Sequence, residues 1–430
     1  MKKNNFLKIT FMLILGGFIT KILGMVTKII MTRIIGTEGI GVYMLIMPTF
    51  SLLISIAQAG FPVAISKLVA EDKFNNKNLV LGIIPISLMI NLFLMLFIIF
   101  SSSFISNNLL HENRTYLGLL SISFVLPFIS ISSILRSYFF GKEKMVPHVI
   151  SSILEDVIKL VLIIIYLPFI FKKGITVTVM FLILINIFSE LSSIIIFLFC
   201  LPKKINLKKS YFKYNKSTFN KILSISLPIT GSRIIGSIGY FFEPIILTFV
   251  LTKCGYTNSF IVREYGIVNG YVMPLILLPS FFTMAISQAV IPVISKSYSH
   301  HDIKETKRKI KQACFYSLLI GIPATLIFIF IPEIPLKIIY NTKEGINYIK
   351  FLAPFCILHY IQAPLTGCLQ AMGKAKMAMN GTLLGMIFRT IFLLIFSYLK
   401  IGIWGLIMAI SINIVIVTFH QIKKVKEALN

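Results

Sequence analysis

The chain has 430 residues, of which 57% are hydrophobic and 13% charged, and its mean hydropathy is +0.89. A soluble domain runs near 45–50% apolar and about 25% charged, so composition excludes a water-soluble globular protein and leaves an integral membrane protein. The net charge of +27 points to no nucleic-acid partner, because the basic residues fall between long apolar runs and no soluble module carries them.

A helix needs roughly 20 apolar residues to cross about 30 Å of hydrocarbon. Runs of that kind predict about twelve spans, near residues 7–31, 40–66, 79–105, 116–139, 147–170, 176–201, 222–252, 265–295, 312–331, 348–371, 377–399 and 402–420. The opening apolar run continues past Lys21 to residue 35 with no small-x-small cleavage site, so it is expected to stay as a helix instead of leaving as a signal peptide. With the N-terminus placed in the cytoplasm, about 27 of the 42 Lys and Arg fall on that side and about 10 on the other, the asymmetry of the positive-inside rule. Both termini are then cytoplasmic.

The first span, GGFITKILGMVTKIIMTRIIG at residues 16–36, carries Lys21, Lys28 and Arg33. Residues seven apart on a helix differ by about 20° in direction, so Lys21 and Lys28 share a stripe with Gly24 and Thr32. Arg33 is near enough to the outer end to snorkel, whereas Lys21 lies about 22 Å along the helix. Further charges fall near mid-span: Glu155, Asp156 and Lys159, then Glu190, then Arg233 and Glu243, then Arg389. A charge at the bilayer centre costs roughly 2.5–3.5 kcal/mol, so these groups must face a wet cavity or one another. Glu155 and Lys159 have the i, i+4 spacing of a pair. Lys21 and Arg233 have no acid one turn away and are expected to line a cavity, where cations favour an anionic ligand, phosphate first.

Three segments recur in order. TKILG at 20–24 returns as SRIIG at 232–236, SIAQAGFPVAISK at 55–67 as AISQAVIPVISK at 285–296, and SYFFGKEKM at 137–145 as LQAMGKAKM at 369–377. The chain therefore reads as a duplication, with a six-helix lobe at 1–205, a cytoplasmic Lys-rich linker at 206–220 and a second six-helix lobe at 221–430. Because each half holds an even number of helices, both enter the membrane from the same side. Two such bundles meeting at a seam suit a transporter that opens alternately to either face.

Enzyme chemistry is not in view. GCLQAMGKA at 367–375 misses the phosphate-loop spacing, His300 and His301 lie in a charged loop, and the five cysteines form no CxxC pair. The chain is expected to be no enzyme, to hold no cofactor or metal, and to draw on the membrane potential or on a coupling ion, Na+ or H+, at a carboxylate.

TKILGMVTKIIMTRIIGTEGIGVY, FPVAISKLVAE, LRSYFFGKEKMVP, LPITGSRIIGSIGYFFEPII, LPSFFTMAISQAVIPVIS and LAPFCILHYIQAPLTGCLQA together resemble the stage V sporulation protein B family. That family stands among the polysaccharide and lipid-linked oligosaccharide flippases, beside lipid II flippases and multidrug and toxin extrusion antiporters. The likeness runs from about residue 5 to 420. It implies an all-α, V-shaped fold of two pseudo-symmetric lobes that carries an undecaprenyl-diphosphate-linked saccharide across the cytoplasmic membrane of a spore-forming bacterium, for spore cortex peptidoglycan. By position, Lys21 matches a basic residue of the family's first helix, Arg233 and Glu243 fall in GSR and FFEP, and Glu155 with Lys159 match E-x-x-x-[KR]. The family usually has fourteen helices where this sequence offers about twelve, and Phe140 stands where a Gln is common. The expected ligand contacts are Lys21, Lys28, Arg233, Lys159 and Arg389; Glu243, Glu190, Glu155 and Asp156 are expected to couple a cation or to pair structurally. The expected partners are the bilayer and an anionic lipid-linked saccharide, with the protein acting as a monomer. A cation-coupled drug antiporter and a non-transporting scaffold for wall synthesis are the alternatives.

Overall fold

The computed structural model describes residues 3–71, 76–201 and 216–429, and the regular elements among them are helical. They fall into two compact units, Met1–Phe241 and Phe242–Asn430. Residues 206–215 of the expected linker lie outside the described residues, and 216–220 already belong to a helix.

The first unit opens with α1 (Lys3–Ala57), which bends at Gly36, where φ is 68° and ψ −175°, a backbone conformation that essentially only glycine adopts. A second break at residues 58–60, with positive φ at Ala59 and Gly60, turns the chain into α2 (Phe61–Glu71). There follow α3 (Asn76–Leu81), α4 (Ile84–Phe104), a π turn at Ile105–Leu109, a 3-10 turn at Asn113–Thr115, α5 (Tyr116–Gly141), α6 (Met145–Phe171) and α7 (Ile175–Cys200). The core joins Phe61, Ile65 and Leu68 of α2, Leu79 of α3, Phe139 of α5 and Phe197 of α7, and Ile222 of α8 (Lys216–Lys253) packs into it. That packing is why the division between units falls within α8 and not in the Lys-rich stretch before it.

The second unit takes the rest of α8, then α9 (Asn258–Gly266), a π turn at Ile267–Val272, α10 (Met273–Ile276), α11 (Ser280–Ser299), α12 (Ile303–Phe330), α13 (Glu333–Tyr340), α14 (Ile346–Ala371), α15 (Ala375–Ser397) and α16 (Trp404–Leu429). Its core gathers Ile294, Ile310, Leu365, Leu369 and Val425.

The helices turn apolar side chains outward, as lipid demands, and bury polar side chains among the apolar ones of the core. On α4, Met89, Phe93, Phe97, Phe100 and Phe104 form an exposed stripe, while Ser87, Asn91 and Ser102 are buried on the other side. The spacing is helical on both faces; the exposed stripe is apolar, while the buried face mixes these polar groups with Leu94 and Ile98. Buried polar side chains serve the helix breaks, since a carbonyl freed inside hydrocarbon must find a donor. Asn91 and Ser130 both donate to the carbonyl of Ala57 at the end of α1, at 3.5 and 3.2 Å. In the second unit the Tyr360 hydroxyl donates to the Ile276 carbonyl at the end of α10, at 2.7 Å.

Nine helices among the described residues are long and apolar enough to cross a membrane, and the α9–α10 and α11 pair, bent by 48°, makes ten. The count of twelve expected from the sequence differs at two places. The run Leu15–Glu71 is 57 residues long, about 85 Å of helix, and the sequence reading divides it near the Gly36 bend. Helix α6 is 27 residues long, long enough to cross, but Glu155, Asp156 and Lys159 lie at its middle and interrupt its apolar run.

Candidate functional site

Three helices of the first unit present polar residues at helical spacing: Ser132 and Arg136 on α5, Glu155 and Lys159 on α6, and Asn186, Glu190 and Ser193 on α7. Intervals of three and four residues place each set on one face. The Arg136 guanidinium is 2.9 Å from Glu155, lies 3.4 Å from the Ser193 hydroxyl and stands 5.9 Å from the Phe197 ring centroid. Lys159 donates to Asn186 Oδ1 at 2.8 Å. The Ser132 hydroxyl donates to the buried carboxylate of Glu190. The i, i+4 pairing of Glu155 with Lys159 is thus replaced by bonds from each residue to a neighbouring helix. On a helix surface an i, i+4 pair is worth only about 0.2–0.5 kcal/mol, less than a charge-assisted bond in a low-dielectric interior.

Helix α1 lies against α6 close enough that a Cβ on Gly16 would meet Val149 at 2.5 Å. This approach brings Lys21, which is exposed, within electrostatic range of Asp156. Lys28 is half-buried, and the Thr32 hydroxyl on the same stripe bonds back to the Lys28 carbonyl at 2.6 Å. Arg233 on α8 is 3.3 Å from the Gln58 side-chain oxygen, at the break between α1 and α2. There α8 packs so tightly that a Cβ on Gly60 would stand 2.6 Å from the Ser226 carbonyl oxygen. The first unit thus sets Lys21, Arg136 and Lys159 among Glu155, Asp156 and Glu190, while Lys28 lies two turns further along α1 and Arg233 stands at Gln58.

In the second unit, Glu243 on α8 forms an ion pair with Arg389 on α15, and both are largely buried. The Tyr265 hydroxyl donates to the same carboxylate at 3.4 Å. Arg389, expected among the ligand contacts, is held by a carboxylate of its own unit. Among the described residues no cluster of three or more His, Cys, Asp or Glu stands ready to hold a metal ion.

Sequence reasoning passed over Arg136 and Asn186. Arg136 lies three residues from the end of its predicted span, where a cation reads as interfacial. Its signal was the Ser132–Arg136 interval, which matches the polar intervals on α6 and α7.

Comparison with known proteins agrees with the fold. Residues 6–298 match the family described as Polysaccharide biosynthesis protein, and residues 234–395 match the MatE family. The chain is 35% identical to Stage V sporulation protein B of Bacillus subtilis (strain 168), with 100% of this chain and 85% of that protein covered. An inward-facing multidrug resistance MATE family transporter of the MOP superfamily superposes with a TM-score of 0.73 at 16% identity, covering 94% of each chain. The Lipid II flippase MurJ in its inward closed conformation gives 0.73 at 18% identity, covering 96% of this chain and 87% of that one.

Proposed function

The chain belongs to the polysaccharide biosynthesis protein family, with Stage V sporulation protein B among its relatives, and is a multi-pass membrane transporter of the flippase kind; on that premise we propose that its cargo is an undecaprenyl-diphosphate-linked saccharide. The cargo would be a peptidoglycan precursor, used for the spore cortex, in the cytoplasmic membrane of a spore-forming bacterium, with both termini in the cytoplasm. One observation supports this reading above the rest: the helices of the first unit hold more cations than carboxylates, and Glu155 is already engaged by Arg136. Excess positive charge inside apolar segments is stabilised by an anion, and a diphosphate offers two charged groups to Lys21, Lys28 and Arg233. Arg389, matched to Glu243, keeps a structural role in this reading.

The cycle is alternating access by a monomer: the headgroup enters from the cytoplasmic side, the prenyl tail stays in lipid, and the loaded transporter reopens outward. Per elementary charge, 100 mV of membrane potential supplies about 2.3 kcal/mol. Glu190 meets a hydroxyl where Glu155 meets a guanidinium, which makes Glu190 the carboxylate best placed to take up H+ or Na+.

The test is reconstitution of the full chain in vesicles carrying labelled lipid-linked disaccharide. Wild type should expose the headgroup to an outside reagent, and Lys21→Ala with Arg233→Ala should abolish that exposure while the protein still inserts. Normal transport by the double variant would overturn the electrostatic reading. The MatE match over residues 234–395 favours a second reading, a cation-coupled drug antiporter; ethidium efflux from the same vesicles without headgroup exposure would establish it.

A further inference from the structure

The duplication extends beyond the three recurring segments into two registers that carry glutamates. EGIGVYMLIMP at 38–48 aligns with EYGIVNGYVMP at 264–274, placing Glu38 opposite Glu264 and Met47-Pro48 opposite Met273-Pro274. The spacing E-x-x-x-Y at Glu112–Tyr116 recurs at Glu344–Tyr348, in the same register as GKEKM at 141–145 and GKAKM at 373–377. Each half therefore keeps two equivalent glutamates, one at the start of its second membrane-crossing segment and one just ahead of α5 or α14.

The structure shows what each pair does. In the first unit Arg114 reaches Glu38 at 2.5 Å and holds Glu112 at 2.7 and 3.0 Å through two nitrogens. In the second unit Arg263 reaches Glu344 at 2.6 Å and stands 4.0 Å from Glu264. The glutamates are equivalent, but the arginine is not. It follows Glu112 on the α5 side in one half and precedes Glu264 on the α9 side in the other. In both halves it is a sequence neighbour of the more buried carboxylate, with side-chain exposures of 7% for Glu112 and 11% for Glu264, and it reaches across to the more exposed one, 50% for Glu38 and 33% for Glu344.

An ordinary solvated ion pair contributes little and has no reason to be rebuilt from the opposite side. In each half an arginine stands within 4.0 Å of both glutamates: Arg114 gives the buried Glu112 two hydrogen bonds, whereas the buried Glu264 accepts the Tyr348 hydroxyl at 2.5 Å and has Arg263 at 4.0 Å, and a buried carboxylate stripped of such partners is strongly unfavourable. We propose that each unit carries a duplicated clamp, an arginine bridging two glutamates, and that Arg114 and Arg263 are positioning residues. Arg114 fixes the part of α1 that follows the Gly36 bend onto the start of α5, and thereby sets the direction in which the segment bearing Lys21 and Lys28 departs. Arg263 fixes α9 onto the start of α14. On the orientation proposed above, both clamps lie at the outer face.

The clamp predicts that its arginine can be moved. Thr37 precedes Glu38 as Arg263 precedes Glu264, and Ile346 follows Glu344 by the interval that separates Arg114 from Glu112. The test measures hydrogen exchange at residues 37–43 and 112–118 in the full chain in nanodiscs, a readout independent of any cargo. Arg114→Ala should raise exchange there by about tenfold, and adding Thr37→Arg to that variant should bring it back to within about threefold of wild type. Arg263→Ala should respond in the same way to Ile346→Arg, at residues 263–269 and 344–350. Unchanged exchange in Arg114→Ala, or raised exchange that Thr37→Arg does not lower, would overturn the clamp. If exchange follows this pattern while headgroup transport is absent from wild type, the clamp stands and the proposed cargo falls.

Discussion

Arg136 and Glu155 join α5 to α6 by a 2.9 Å ion pair between two predominantly apolar helices. The same guanidinium lies 3.4 Å from Ser193 on α7, so one side chain ties three helices together. Each partner keeps about a quarter of its side chain exposed, consistent with a site that water or a ligand reaches.

Removing one member of such a pair leaves the other uncompensated. Arg136→Ala should lower stability by about 3 kcal/mol, the lower end of the range for buried pairs, as read by unfolding in mixed detergent. Arg136→Gln combined with Glu155→Gln should recover at least half of that loss. A loss in the double variant equal to the sum of the losses from Arg136→Gln and Glu155→Gln alone would show that the pair is not coupled.

The Glu243–Arg389 pair is more buried, and Arg389→Ala should be more damaging than Arg136→Ala, toward the upper end of the same range at about 4–5 kcal/mol. Replacing both residues with Met and Leu should return stability near that of wild type, because a well-packed apolar pair is often as stable as the ion pair that it replaces. If the double replacement also keeps transport, the pair is structural; if it abolishes transport in a stable protein, a carboxylate is needed there.

Lys28 is half-buried in an apolar helix. Lys28→Met should therefore leave stability unchanged or raise it by about 1 kcal/mol, while slowing headgroup transport by about tenfold if the cation binds diphosphate. Loss of stability together with transport would instead mark Lys28 as a packing residue.

Glu190→Gln keeps the shape of the side chain that accepts from Ser132 and removes its charge. Transport in vesicles should then become insensitive to an imposed pH gradient if H+ is coupled there, or to a Na+ gradient if Na+ is. A variant that still responds fully to both gradients would move the coupling role elsewhere.

Close helix packing gives a prediction independent of charge. A Cβ on Gly141 would lie 2.6 Å from the Ser66 carbonyl oxygen and 2.7 Å from Val69, so Gly141→Ala should cost about 1–3 kcal/mol by forcing α5 off α2. Gly24→Ala has open space around it and should be neutral or slightly stabilising.

The membrane class and the helical fold were legible along the chain, because each is a matter of composition or run length. Lys21, Lys28, Arg233, Lys159, Glu155 and Glu190 could be picked out for the same reason: a charge in an apolar run stands out without knowledge of its neighbours. Their partners could not. Glu155 had Lys159 one turn away, yet it bonds to Arg136 on another helix. Arg389 and Glu243 are far apart in sequence and meet through the packing of α8 and α15.

The sequence by itself determined that the chain lies in lipid and which charges are costly there, since hydrophobicity and helical period are local properties. Only the tertiary structure decided which of those charges neutralise one another and that Arg114 and Arg263 bridge equivalent glutamates from opposite sides. The physical reason is that Coulomb energy depends on distance in space, and helices separated by hundreds of residues come within hydrogen-bond reach only when their faces pack.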